Sequence, residues 1–198
     1  MADPLDDSKR ALRAELRERR QLLTDAARAR AAAGITAQLD ALVEGFGARS
    51  VSCYLSTPAE PGTRGFVSAA VERGIRVLLP IMRTDGLLDW VVADPQSTVA
   101  EGQLGIPEQA GELLGPIAVN DVDLLIIPAA AVDRTGMRLG WGRGYFDKTL
   151  GSMEKCPPVY AVIYDTEFVD EVPRDRHDQP VTGVVTPTRT VTLAPVRR

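Results

Sequence analysis

The residues best suited to chemistry lie between Arg138 and Asp147, which read R-L-G-W-G-R-G-Y-F-D. Gly140, Gly142 and Gly144 alternate with Trp141 and Arg143, and Arg138 stands just ahead of them. Glycines permit positive φ and let backbone N–H groups come close to a ligand. Residues 123–127 form an apolar run of strand character closed by Pro128, and residues 145–150 read as a helix opening that ends near Gly151. Strand, glycine loop and helix start can together hold an anion, because the helix N-terminus adds partial positive charge. The string lacks the Gly-Lys-Ser/Thr ending of a P-loop, and its glycine spacing misses the dinucleotide fingerprint. On spacing alone, a tight structural turn reads equally well.

Other candidates are scattered. Asp147 falls in the first turn after the glycines, where an acid favours the helix dipole and could also hold a hard divalent cation. Asp178 is a second candidate for Mg²⁺, with a turn or cap residue as its plainer reading. Lys9 and Arg13 share a face at i, i+4 of an arginine-crowded helix, ordinarily a solvated face. Lysine occurs only at 9, 148 and 155, so Lys9 could supply a compact charge where a guanidinium fork would not fit a phosphate. Glu60 stands in a loop and reads first as a solvent-facing acid. His177 is the single histidine, and no G-x-S-x-G elbow accompanies it, so Ser-His-Asp hydrolysis has poor support. Cys53 and Cys156 form no metal or redox motif, and structural zinc lacks ligands.

The elements that must position these residues follow from periodicity. Residues 5–45 read as helix, with Leu12, Leu16 and Leu23 near helical spacing and Gly34 separating a second helix through Ile35, Leu39 and Val43. Strands are expected at 50–55, 76–80, 87–92, 159–163 and 181–185, with a helix at 64–73 and a hairpin turn at Asp85-Gly86. The loop 56–63 lies at a strand's carboxyl end, where open α/β sheets bind ligands. Trp90 is expected in the core. Residues 94–120 carry little periodicity, and a loop of that length is usually functional. Strands separated by helices imply a Rossmann-like, mostly parallel three-layer α/β/α sandwich. At 198 residues, one domain is expected, with the helices of 5–45 packed on its α/β core.

Composition sets limits on function. Hydrophobic content of 44% with 25% charged residues is ordinary for a globular protein. A net charge of −4 argues against general nucleic-acid binding. No apolar run approaches a membrane span, and Met-Ala-Asp-Pro begins no apolar signal core, so a cytoplasmic protein is expected.

The whole string 138–147 resembles the signature of the 5-formyltetrahydrofolate cyclo-ligase family, R-L-G-x-G-x-G-Y-Y-D, with Phe146 at the second tyrosine. The similarity spans nearly the full chain. Gly105-Ile-Pro-Glu108 looks like the family's Gly-Ile-Pro-Glu-Pro segment, with Gln109 at the proline. The resemblance implies that Lys9, Arg13 and the loop from Arg138 through Leu139, Gly140, Trp141, Gly142, Arg143, Gly144 and Tyr145 to Phe146 bind ATP. It further implies that Leu55 and Glu60 bind folate together with Trp141 to Tyr145, Glu60 recognising the pterin. Asp147 and Asp178 match the magnesium-linked acids, and Arg138, Tyr145 and Asp147 are the expected catalytic residues. The implied reaction is the ATP-dependent closure of 5-formyltetrahydrofolate to 5,10-methenyltetrahydrofolate, by a monomer. Two other classes stay open: an isomerase or transferase acting on a sugar phosphate or coenzyme A ester, and a nucleotide- or RNA-binding module using the basic first helix.

Overall fold

The computed structural model describes residues 4–102, 105–153, 156–175 and 178–193. His177 and Lys155 lie outside the described residues. The chain opens with helices α1 (Pro4–Gln21) and α2 (Asp25–Phe46). Strand β1 (Ser50–Ser52) and helix α3 (Arg64–Glu72) follow, then β2 (Arg76–Met82) and β3 (Leu88–Val92). A small hairpin of β4 (Val99–Glu101) and β5 (Pro107–Gln109) and a 3₁₀ turn (Pro116–Asp121) lead to β6 (Leu124–Pro128). The second half holds β7 (Ala131–Asp133), β8 (Arg138–Leu139), α4 (Tyr145–Ser152), β9 (Val159–Val162), β10 (Phe168–Val169), β11 (Gly183–Val185) and β12 (Thr190–Thr192).

Seven strands form the central sheet in the order β12-β11-β9-β6-β1-β2-β3. Its five inner strands are parallel, while β12 and β3 pair antiparallel at the edges. Strands buried on both faces must be apolar throughout, as the runs Leu124–Ile127 and Val159–Val162 are. The two-residue alternation then divides β6 between the layers. Leu124 and Ile126 face Ile35, Leu39 and Val43 of α2 and Phe66 and Ala70 of α3. Leu125 and Ile127 join Trp90, Val119, Val122 and Leu150 on the opposite side. The expected three-layer α/β/α arrangement with a mostly parallel sheet is what the chain adopts.

Chain order fixes where a cleft opens. From β1 the chain steps to β2 on one side, and later places β6 on the other. Open α/β sheets bind ligands at such a switch point, outside the carboxyl ends of the strands. Beyond that edge, β8 pairs antiparallel with β7, and β10 pairs parallel with β7. Leu16 of α1 packs on this small sheet against Ala130, Ala131, Leu139 and Val172, which brings the first helix beside the glycine loop.

Three expectations need correction. The break between the first two helices falls at residues 22–24, where Thr24 caps α2 by accepting from the Ala27 amide at 3.2 Å. Gly34 lies inside α2, and its lack of a side chain serves packing, since a Cβ there would meet the Pro187 carbonyl oxygen at 2.2 Å. The stretch 94–120 is more ordered than its composition suggests: besides β4 and β5, Trp90 and Leu114 exchange backbone hydrogen bonds. The first strand is shorter than expected, and Tyr54 and Leu55 leave the ladder beyond Ser52.

Candidate active site

The glycine loop is built by backbone conformation. Gly142 has φ of 93° and Gly144 has φ of 72°, a region where L side chains are strained. Gly144 occupies the N-cap position of α4, so the loop runs directly into a helix whose first-turn amides point outward. The first helix grips this loop: Arg13 Nε donates to the Gly140 carbonyl at 2.7 Å. Lys9, one turn earlier, donates to Asp178 Oδ2 at 2.7 Å.

Arg138 Nη2 donates to Asp147 Oδ1 at 2.5 Å, with the guanidinium buried and the carboxylate 31% exposed. Burial pushes the Arg138 pKa down, while the nearby carboxylates of Asp147 and Asp178 pull it back up. Both acids expected to hold Mg²⁺ therefore stand in one charge cluster with Lys9 and Arg138, each already in an ion pair. Among the described residues, no group of three or more His, Cys, Asp or Glu side chains could hold a metal. Two carboxylates suit Mg²⁺, which commonly takes one or two and completes its shell with phosphate oxygens and water.

A pocket opens beside this cluster at the carboxyl ends of the strands. Arg138, Gly140, Trp141, Arg143, Gly144, Tyr145, Phe146 and Asp147 form one wall. Leu55, Glu60 and Tyr54, from the chain beyond β1, form another. Pro80, Met82, Leu88, Ile106, Pro107 and Pro128 complete an apolar surround. Six buried side-chain polar atoms have no hydrogen-bond partner among the described residues, and three belong to this lining: Tyr54 Oη, Arg138 Nε and Trp141 Nε1. Native proteins seldom leave buried donors unpaired, so their concentration at one cleft marks a ligand site. The Trp141 ring packs under Arg20, whose guanidinium carbon lies 4.7 Å from the ring centroid. Arg20 is held by a buried bidentate pair with Glu167, at 2.6 and 2.8 Å.

The profile of the 5-formyltetrahydrofolate cyclo-ligase family matches residues 6–187, a span that includes every part of this site. The chain belongs to the 5-formyltetrahydrofolate cyclo-ligase family. A relative named 5-formyltetrahydrofolate cyclo-ligase, from Mycolicibacterium smegmatis, is 35% identical over 187 residues, covering 92% of this chain and 95% of that protein. The Escherichia coli protein of the same name is 32% identical over 146 residues, covering 72% of this chain and 80% of its own. The solved structure of Aquifex aeolicus 5,10-methenyltetrahydrofolate synthetase superposes with a TM-score of 0.78 at 26% identity, covering 96% of this chain and 95% of that one.

In this cyclo-ligase fold, the expected site residues divide into three groups. Leu55, Glu60, Arg138, Gly140, Trp141, Arg143, Gly144, Tyr145, Phe146 and Asp147 line the pocket. Lys9, Arg13, Gly142 and Asp178 adjoin it through the charge cluster and the loop: a Cβ on Gly142 would sit 3.3 Å from the Arg13 guanidinium carbon. The side chain of Leu139 is buried in the small-sheet core and its carbonyl accepts from the Ala130 amide at 2.8 Å, so the residue holds the base of the loop in place. The Tyr145 hydroxyl donates to the Arg83 carbonyl at 3.1 Å, anchoring α4 to the β2–β3 turn. Phe146 keeps an aromatic wall without a hydroxyl. Glu60 Oε2 accepts from the Thr57 amide at 2.8 Å, which braces the loop. Cys53 is buried and its thiol is pushed up to about 12, too basic for nucleophilic duty.

Tyr54, Met82 and Leu88 on the pocket wall, and Arg20 and Glu167 behind it, carry no local sequence signal of a site, whereas Ile106 and Pro107 belong to the Gly105-Ile-Pro-Glu108 segment. Arg20 was one arginine among many in its helix, and nothing in the sequence marks the one that faces inward. Glu108 accepts from the Met82 amide at 2.9 Å and ties the hairpin to the pocket edge.

Proposed function

We propose that this chain converts 5-formyltetrahydrofolate to 5,10-methenyltetrahydrofolate, with ATP going to ADP and phosphate. One observation carries the reading most directly: an apolar pocket with a carboxylate at Glu60 is continuous with the glycine loop and the Arg138–Asp147 pair. A flat, partly apolar pterin suits the first part and nucleotide phosphates suit the second. Folate then lies against Leu55, Glu60 and Trp141, and ATP against the loop, Lys9 and Arg13.

A formamide oxygen is a poor leaving group, so ring closure needs it activated. In this reading the formyl oxygen attacks the γ-phosphorus of ATP and ADP departs, leaving a phosphorylated imidate-like species. N10 next attacks the activated carbon and gives its proton to solvent, and phosphate leaves with the former formyl oxygen. Such transfer needs positioning and charge neutralisation more than a nucleophilic side chain. Loop amides beside α4, the buried Arg138 guanidinium and the Lys9 and Arg13 cations provide these. Tyr145 and Phe146 shape the wall, and the apolar surround keeps water from the activated carbon. Asp147, with Asp178 behind it, would hold Mg²⁺, which when bound neutralises charge on the phosphates.

A monomer is the proposed state, and no helix among the described residues is long and apolar enough to cross a membrane. The cytoplasm, where reduced folates and ATP are both available, is the proposed location. The test is formation of the methenyl product, followed by its near-ultraviolet absorbance, with and without ATP and Mg²⁺. Product that requires ATP is expected. An ATP-independent reaction, or none with this folate, would overturn the proposal.

A further inference from the structure

Tyr54 is 5% exposed and lines the same pocket as Glu60. Its hydroxyl is buried and has no hydrogen-bond partner among the described residues. An unpaired buried donor is costly to the free protein and becomes useful when a ligand supplies the acceptor. Glu60 lines the same pocket, so a buried donor and a carboxylate acceptor both belong to its lining. Burial first, and the Glu60 charge next, raise the phenol pKa well above its ordinary value. The hydroxyl thus stays protonated and able to donate at any working pH.

The neighbouring chemistry narrows what the donor would meet. One Glu60 oxygen is engaged by the Thr57 amide, and the other remains an acceptor. A pocket lining that offers both a carboxylate acceptor and a neutral donor complements one edge of a 2-amino-4-oxo pyrimidine ring. That edge carries N–H donors at the 2-amino group and N3, and next to them the oxygen on C4. We infer that the Tyr54 hydroxyl donates to the 4-oxo oxygen of the pterin while Glu60 accepts from N3–H and the 2-amino group, making Tyr54 a specificity-determining residue. The inference rests on the folate reading of the pocket.

Tyr54→Phe in the full chain tests it, since the change keeps the ring and removes only the hydroxyl. Three quantities are compared with wild type: the melting temperature without ligand, the Kd for 5-formyltetrahydrofolate, and the Kd for an analogue carrying hydrogen in place of the 4-oxo oxygen. Expected are an unchanged or higher melting temperature, a loss of about three- to tenfold in affinity for 5-formyltetrahydrofolate, and no change for the analogue. ATP affinity serves as the control and should hold. A lower melting temperature would mean that the hydroxyl serves the fold, and equal or absent effects on both folates would mean that it does not read the oxygen. Either result overturns the role of Tyr54 and leaves the folate reading intact. Failure of the wild-type chain to bind 5-formyltetrahydrofolate at all would instead overturn the folate reading, and this inference with it.

Discussion

Arg138 and Asp147 join the residue before the glycine loop to the first turn of the helix after it, Nη2 donating to Oδ1 at 2.5 Å. The loop between them is therefore closed at its base by an ion pair whose cation is buried and whose carboxylate reaches the pocket. This changes what loss of the acid should do. An acid in an exposed first turn contributes about 0.3–1 kcal/mol through the helix dipole. Here Asp147→Asn also takes the charged hydrogen-bond partner from a buried guanidinium, so a loss of about 1–3 kcal/mol is expected. Turnover should fall by about 10²–10³, the usual cost of removing one preorganised electrostatic element. Added Mg²⁺ should restore part of it. Thermal melting together with a magnesium titration of the rate decides; normal turnover with unchanged magnesium dependence removes Asp147 from the metal assignment.

The two loop glycines should respond differently to alanine. At Gly144 a Cβ has open space, so the substitution bears only the left-handed backbone, about 1–2 kcal/mol. At Gly142 the added carbon also lies 3.3 Å from the Arg13 guanidinium carbon and presses on the contact between α1 and the loop. Gly142→Ala should therefore weaken ATP binding more than Gly144→Ala at matched stability loss. Calorimetric ATP titration of both variants, with their melting curves, checks this. Equal ATP affinities would argue that Arg13 takes no part in nucleotide binding.

Arg20 and Glu167 make a buried pair that carries Trp141 on its outer face. Breaking a buried pair by removing one partner costs about 3–5 kcal/mol. Glu167→Ala should lose stability on that scale and release the Tyr164 amide, which Glu167 Oε2 accepts at 2.7 Å. Denaturant unfolding measures the loss, and Trp141 fluorescence, read against a Trp90→Phe background, reports whether the indole has shifted. An effect below about 1 kcal/mol, typical of exposed ion pairs, would contradict the burial argument.

Acidification should expose a separate contribution from Asp123. Its Oδ2 accepts from the Arg49 and Ser50 amides at 2.8 and 2.9 Å, joining the starts of β1 and β6. These backbone hydrogen bonds lower its pKa below the ordinary 3.8. A depressed folded-state pKa gives stability that is fully present above the unfolded value and is lost as pH falls through the folded one. Asp123→Asn should thus destabilise by about 1 kcal/mol at neutral pH. The difference from wild type should shrink below about pH 4. A gap that stays constant down to acid unfolding would refute the linkage.

Much of this site was legible in local pattern, for physical reasons that need no folded chain. Short apolar runs at 124–127 and 159–162, rich in Leu, Ile and Val, suit strands buried on both faces, and a glycine loop between strand and helix suits the sheet's carboxyl edge. Lys9 and Arg13 share a face through helix geometry alone. Gly34 shows the limit: the chain around it says only that a helix is weakened there, whereas its real constraint is the carbonyl of Pro187 far along the chain. The same holds for Arg20, indistinguishable in sequence from Arg17 or Arg19, until α1 packs on the small sheet and turns it toward Glu167. Tyr54 reads as one more strand residue until the strand ends at Ser52 and the side chain joins the pocket lining with its hydroxyl unpaired among the described residues. Periodicity reports which face of an element is apolar; which partner covers that face depends on contacts between residues more than a hundred positions apart, and those belong to the fold.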